Sequence, residues 1–194
     1  MLNNIKNLRI LLASNSPRRQ ELLRNMGINF SVVAKSGIDE SYPTKLKAKY
    51  VPEYLAQKKA EAYTDMLADG NSLLITADTV VVCDKLILGK PHSESEAIDM
   101  LTRLQGNAHR VLTGVALTTK DKQVSFTVKT KVLMRALAPD VIEHYVHTYQ
   151  PLDKAGAYGI QEWIGLVGID HIEGSYHNVM GLPTQRLFQE LENF

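Results

Sequence analysis

Residues 8–19 read Leu8-Arg9-Ile10-Leu11-Leu12-Ala13-Ser14-Asn15-Ser16-Pro17-Arg18-Arg19, an apolar run that passes directly into a helix start. The apolar part predicts a short buried strand. Ser16 stands where a helix cap belongs, and Pro17 suits the first helical turn, where a missing N–H costs nothing. Glu21, Leu22 and Leu23 continue the helix, and Gly27 is a natural stop. The same junction has a chemical character. A helix N-terminus presents unpaired N–H groups and a partial positive charge. Here the hydroxyls of Ser14 and Ser16 and the guanidiniums of Arg18 and Arg19 stand beside it, which predicts an anion site, best matched by phosphate.

Outward from this unit, strand-like and helix-like patterns alternate, so the chain is expected to be an α/β protein. Residues 28–34 predict a second strand and residues 37–49 a polar, irregular stretch containing Asp39-Glu40. A helix is expected over 52–68, with Leu55, Lys59, Ala62 and Met66 on one face. Residues 72–83 form a long strand candidate, followed by a turn at Asp84-Lys85 and a short strand at 86–88. Ser93-Glu94-Ser95-Glu96 has the capping-box spacing and opens a helix to Gln105, ahead of Gly106. Strands are expected at 110–118 and 125–134, with a turn near Asp121, then a helix at 139–148. Dense glycines over 151–183 predict loops and short strands around a site, and a last helix is expected at 183–191. With no repeat, low-complexity tract or long linker, residues 1–194 are expected to form a single domain.

The composition narrows the function classes. The chain has 22 basic and 21 acidic residues, a net charge of +1, which argues against a general nucleic-acid binder and makes any basic site local. The single cysteine, Cys83, leaves no internal disulfide, suits a reducing cytosol, and in Val80-Val81-Val82-Cys83 is expected to be a buried, inert thiol. There is no signal-peptide pattern, and no apolar run approaches the about 18 residues that span a bilayer. A soluble, cytoplasmic protein is expected.

Asp78 interrupts an otherwise apolar strand, Leu73-Leu74-Ile75-Thr76-Ala77 before it and Val80-Val81-Val82 after it. An unpaired buried carboxylate is expensive, so Asp78 either faces water from an edge strand or has a cation, a metal or a site opening beside it. Asp39-Glu40 reads alone as solvated loop charge; joined to Asp78 it could supply oxygen ligands for Mg²⁺ or Mn²⁺. Lys59 lies on the apolar side of its helix and either snorkels or serves a site. Lys90, between Gly89 and Pro91, is a candidate phosphate contact, although no Walker motif is present, because position 84 is Asp84 and not glycine. The histidines are dispersed and no nucleophile elbow is present, which disfavours zinc and covalent acyl chemistry.

Together these segments resemble the Maf family of nucleoside triphosphate pyrophosphatases. The resemblance rests on Ser14 to Leu23, on Asp39-Glu40, on Lys59-Ala60, on Ala77-Asp78-Thr79-Val80-Val81 and on Gly89-Lys90-Pro91. It continues through Lys154-Ala155-Gly156-Ala157-Tyr158-Gly159-Ile160-Gln161 and Gly174-Ser175-Tyr176-His177-Asn178-Val179-Met180-Gly181-Leu182-Pro183. It implies a two-lobed, mixed-sheet α/β fold similar to inosine triphosphate pyrophosphatases, with a nucleotide cleft between the lobes, and commonly a homodimer. It also implies hydrolysis between the α- and β-phosphates, dependent on a divalent metal cation (Mg²⁺ or Mn²⁺). Positive charge for the triphosphate would come from Arg18, Arg19, Lys59, Lys90 and the first helix N-terminus. Asp78 is expected as general base and Glu40 as metal ligand, or the reverse.

The resemblance extends to the branch. A branch that prefers 7-methyl-GTP tends to carry Trp where this chain has Arg18, Gln where it has Thr79 and Glu where it has Gln161. An aromatic face and a carboxylate suit a cationic base. The amide of Gln161 instead matches a neutral uracil or thymine imide with a donor and an acceptor. The implied substrates are dTTP and UTP. The alternatives are a 7-methyl-GTP pyrophosphatase of the same family and a nucleotide-binding regulator of septum formation.

Overall fold

The computed structural model describes residues 2–194. Among them are seven strands and eight α-helices. The strands are β1 (Arg9–Leu12), β2 (Ser31–Val32), β3 (Ser72–Cys83), β4 (Leu86–Leu88), β5 (Ala108–Thr118), β6 (Gln123–Met134) and β7 (Ile169–Glu173). They form one mixed sheet in the order β2-β1-β3-β5-β6-β7, with β4 attached to β3. β1 runs parallel to β2 and to β3, pairing Leu11 with Ser31 and with Leu74. β3–β4 and β6–β7 are antiparallel. Asp84 and Lys85 both take positive φ in the β3–β4 turn, as a two-residue hairpin of matching twist requires.

The chain divides into two compact units. The first holds the described residues up to Asp78, Thr113–Val128 and Gly181–Phe194; the second holds Thr79–Leu112 and Lys129–Met180. In the first, Leu11, Ala60, Tyr63, Leu67 and Leu74 pack into a core cluster. In the second, Val81, Leu101, Leu104, Val132, Met134, Tyr145 and Ile164 do the same. Cys83 is buried in the second core, where desolvation pushes its thiol upward, as its apolar context predicts.

The helices follow the signals read from sequence, with three differences. α1 (Pro17–Asn25) has Ser16 at its N-cap position, but the Ser16 side chain makes no cap bond. The expected helix over 52–68 is two: α2 (Val51–Glu61) and α3 (Thr64–Leu67). The break follows buried Tyr63, whose hydroxyl accepts from the Lys35 N–H at 2.7 Å, so packing at residue 63 overrides helix propensity. The glycine-rich stretch 151–183 also holds more helix than expected: α6 (Trp163–Gly168) and α7 (Tyr176–Met180) flank β7. α4 (Glu94–Leu104) starts with Ser93 Oγ accepting from the Glu96 N–H at 3.1 Å, and Glu96 Oε2 reaches back to the His92 N–H. α5 (Pro139–Tyr149) and α8 (Thr184–Glu192) occupy the last two expected helical segments.

The helix that matters most is α2, and it is fixed from several directions within the first unit. Its buried face is Val51, Pro52, Leu55, Ala56 and Ala60. Thr76 Oγ1 donates to the Ala56 carbonyl at 2.6 Å, tying α2 to β3. Glu53 accepts from Ser125 Oγ at 2.8 Å and from Thr127 Oγ1 at 3.0 Å. Gly114 lies so close to its start that a Cβ there would stand 2.2 Å from the Glu53 nitrogen and the Pro52 carbonyl carbon.

Candidate active site

Within the first unit the residues singled out by sequence meet around one ammonium group. Lys59 follows Leu55 by four residues and so shares the buried face of α2. Its Nζ donates to Asp78 Oδ1 at 2.6 Å and pairs with Glu40 Oε1 at 2.8 Å. The Lys59 and Asp78 side chains are 14% and 12% exposed, whereas Glu40 is 54% exposed. Of the two readings of Asp78, the one with a cation beside it holds, and the Lys59 ammonium is paired with two carboxylates instead of reaching into solvent.

The loop between β1 and α1 contributes the second half. Ser14 is buried, and its Oγ accepts from the Ser16 N–H at 3.2 Å. Arg19 projects from the first turn of α1. Its Nη1 donates to the Ala77 carbonyl at 2.9 Å and its Nε to the Gly181 carbonyl at 2.8 Å. Nη1 also lies 3.4 Å from Ser14 Oγ. Burial pushes the Arg19 guanidinium below its ordinary value, and the nearby Asp78 and Glu40 carboxylates act in the opposite direction. Arg19 thus braces the peptide that carries Asp78 as well as adding positive charge. Arg18, one residue earlier on α1, is half-buried, as is Ser16.

A sequence model of the family described as Maf-like protein matches residues 9–194. The chain belongs to the Maf family. Relatives in this family are similar along the whole chain. A protein of Phocaeicola vulgatus named dTTP/UTP pyrophosphatase is 50% identical over 192 residues, covering 99% of each chain. One of Parabacteroides distasonis with the same name is 50% identical over 194 residues, covering 100% of each. One of Porphyromonas gingivalis, also so named, is 47% identical over 196 residues, covering 100% of this chain and 98% of its own.

The Maf resemblance implies a divalent cation, and the donor set in the first unit fits one. Glu40 and Asp78 both bring an oxygen to a single cationic nitrogen, and Mg²⁺ is commonly held by one or two carboxylates with substrate phosphates and water completing its shell. Among the described residues no group of three or more His, Cys, Asp or Glu side chains is arranged as a complete metal cage.

The other expected residues lie in the second unit. Thr79 is half-buried in β3. Lys90 is exposed and lines a shallow cavity of about 340 Å³ with Gly89, His92, Glu96 and Arg103. Gln161 is exposed, and its amide nitrogen lies against the bare Cα of Gly159, where a Cβ would come within 3.0 Å of it.

Sequence reasoning missed Lys58. Its Nζ donates to Asp39 Oδ2 at 2.7 Å, to the Ser41 carbonyl at 2.8 Å and to Ser41 Oγ at 3.1 Å. Lys58 first, and the Ser41 hydroxyl and N–H after it, hold the Asp39 carboxyl below the usual carboxylate range. The available signal was the pairing of two adjacent acids, Asp39-Glu40, with two adjacent lysines, Lys58-Lys59.

Proposed function

We propose that this chain is a nucleoside triphosphate pyrophosphatase that hydrolyses dTTP and UTP to the monophosphate and pyrophosphate. The observation that carries the reading is Lys59 held between Asp78 and Glu40 beside Arg19 and the start of α1. The names of the relatives support the choice of substrates. Two carboxylates do not help to bind a tetra-anion unless a metal ion joins them, so their presence favours metal-assisted chemistry over mere binding.

Asp78 takes the proton of the attacking water on its carboxylate as oxygen bonds to the α-phosphorus, and the bridging oxygen leaves with pyrophosphate. Lys59, Arg19, Arg18, Ser14, Ser16 and the N–H groups of α1 bind phosphate oxygens and the charge that grows on the leaving group. Glu40 and Asp78 would hold Mg²⁺ or Mn²⁺. Such a cation supplies charge neutralisation and a lowered pKa for bound water. Lys90 contacts phosphate, while Arg18, Thr79 and Gln161 select the base; these roles rest on the family resemblance. The reading includes residues 1–194 as one functional domain, a cytoplasmic location, a homodimer and no nucleic-acid partner. No helix among the described residues is long and apolar enough to cross a membrane.

The test is pyrophosphate release from dTTP, UTP, CTP, GTP and 7-methyl-GTP with Mg²⁺ or Mn²⁺. We expect dTTP and UTP to give the highest kcat/KM and chelation to abolish turnover. Preference for 7-methyl-GTP would overturn the branch, and no release from any nucleotide would overturn the reaction.

A further inference from the structure

The reaction proposed above needs Glu40 at Asp78, yet Glu40 belongs to neither helix nor strand. A loop side chain is placed by what grips its neighbours, and here both flanking residues are gripped by one group. An ammonium has three donors, and Lys58 uses three contacts on residues 39 and 41: Asp39 Oδ2, the Ser41 carbonyl and Ser41 Oγ. Asp39 closes on the same neighbour, accepting from the Ser41 N–H at 2.8 Å and from Ser41 Oγ at 2.7 Å. Successive residues of a helix point about 100° apart, so Lys58 and Lys59 leave α2 in different directions. The two lysines instead take adjacent loop residues: Lys58 holds Asp39 and Lys59 holds Glu40.

We propose that Lys58 is a positioning residue, gripping residues 39 and 41 so that the intervening Glu40 is presented to Lys59 and Asp78. This rests on the pyrophosphatase reading and adds to it a residue that does not itself touch substrate. Asp39 is well exposed, and an exposed ion pair contributes little to global stability. The consequence of losing the grip therefore falls on where Glu40 sits.

The experiment compares Lys58→Met, Lys58→Arg and Asp39→Asn with wild type by hydrogen–deuterium exchange of residues 39–42 in the free protein and by steady-state kinetics with dTTP. Lys58→Met should exchange faster at 39–42 and lose kcat by about 10-fold, the scale of losing a residue that orients a functional side chain. KM for dTTP and Tm should hardly move, and Lys58→Arg should recover most of the loss. The double variant Lys58→Met with Asp39→Asn should lose less than the sum of the two single losses, because the Lys58–Asp39 contact is cut by both. Wild-type exchange at 39–42, or wild-type kcat, in Lys58→Met would overturn the proposal. A wild type that releases no pyrophosphate would overturn the pyrophosphatase reading instead, and the exchange measurement would still decide whether Lys58 grips the loop.

Discussion

Each unit contains a largely buried lysine between two carboxylates, and the two clusters differ in where their members come from and in what lies beside them. In the second unit Lys154, 9% exposed, lies 2.6 Å from Asp153 and 3.1 Å from Glu162. Glu162 also accepts from the Tyr145 hydroxyl, which in turn accepts from the Gly159 N–H at 3.0 Å. Burial and the Glu162 hydrogen bond push the Tyr145 phenol well above its ordinary value, so it stays a donor. This cluster draws on residues 145–162, and each group leads to another group of the fold. The Lys59 cluster draws on residues 40, 59 and 78, from a loop, a helix and a strand, with Arg19 and Ser14 beside it. Exposure does not separate the two, since each has one exposed carboxylate, Glu40 in the first unit and Asp153 in the second. A lysine between two acids is thus no mark of catalysis by itself; what surrounds it decides.

The comparison can be broken most sharply at Asp78. Asp78→Asn keeps the shape but removes the charge and the proton acceptor, so pyrophosphate release from dTTP should fall by at least about 100-fold. Its thermal midpoint should move far less than that of a Lys154 variant. Near-normal turnover would take Asp78 out of the mechanism. Lys154→Met should show the opposite pattern. Removing one member of a buried pair strands its partner, and with Asp153 and Glu162 partly open to water the cost should be about 2–3 kcal/mol in urea unfolding. Activity per folded molecule should be largely kept. The smallest effect should come from Tyr145→Phe, which strands the Gly159 N–H and one Glu162 oxygen and should cost about 1–2 kcal/mol. Equal losses of stability from Asp78→Asn and Lys154→Met would erase the distinction between the two clusters.

The α/β class and most elements were legible in the chain because their signals are local. The run through β1, the Ser16-Pro17 junction and the Ser93–Glu96 capping box depend on neighbours a few residues apart. Asp78 and Lys59 were legible as polar residues out of place among apolar ones. What was not legible depends on distant partners. Tyr63 divides the expected helix because its hydroxyl meets Lys35. Ser16 leaves its cap unmade, and its N–H is taken by Ser14. Lys58 looks in sequence like any solvated lysine, and only the fold brings residues 39 and 41 to it.

The contact of Gly114 with the start of α2 gives that position an influence its chemistry would not suggest. It has no side chain to bind, donate or accept, yet it sets how closely β5 and the Pro52–Glu53 backbone can approach. The helix so seated carries Lys58 and Lys59 two turns further on. Any side chain at 114 would act as a wedge under the base of a lever whose far end holds the carboxylates in place. Among silent-looking positions in a survey of inherited variation, this one would count with the residues that touch the nucleotide.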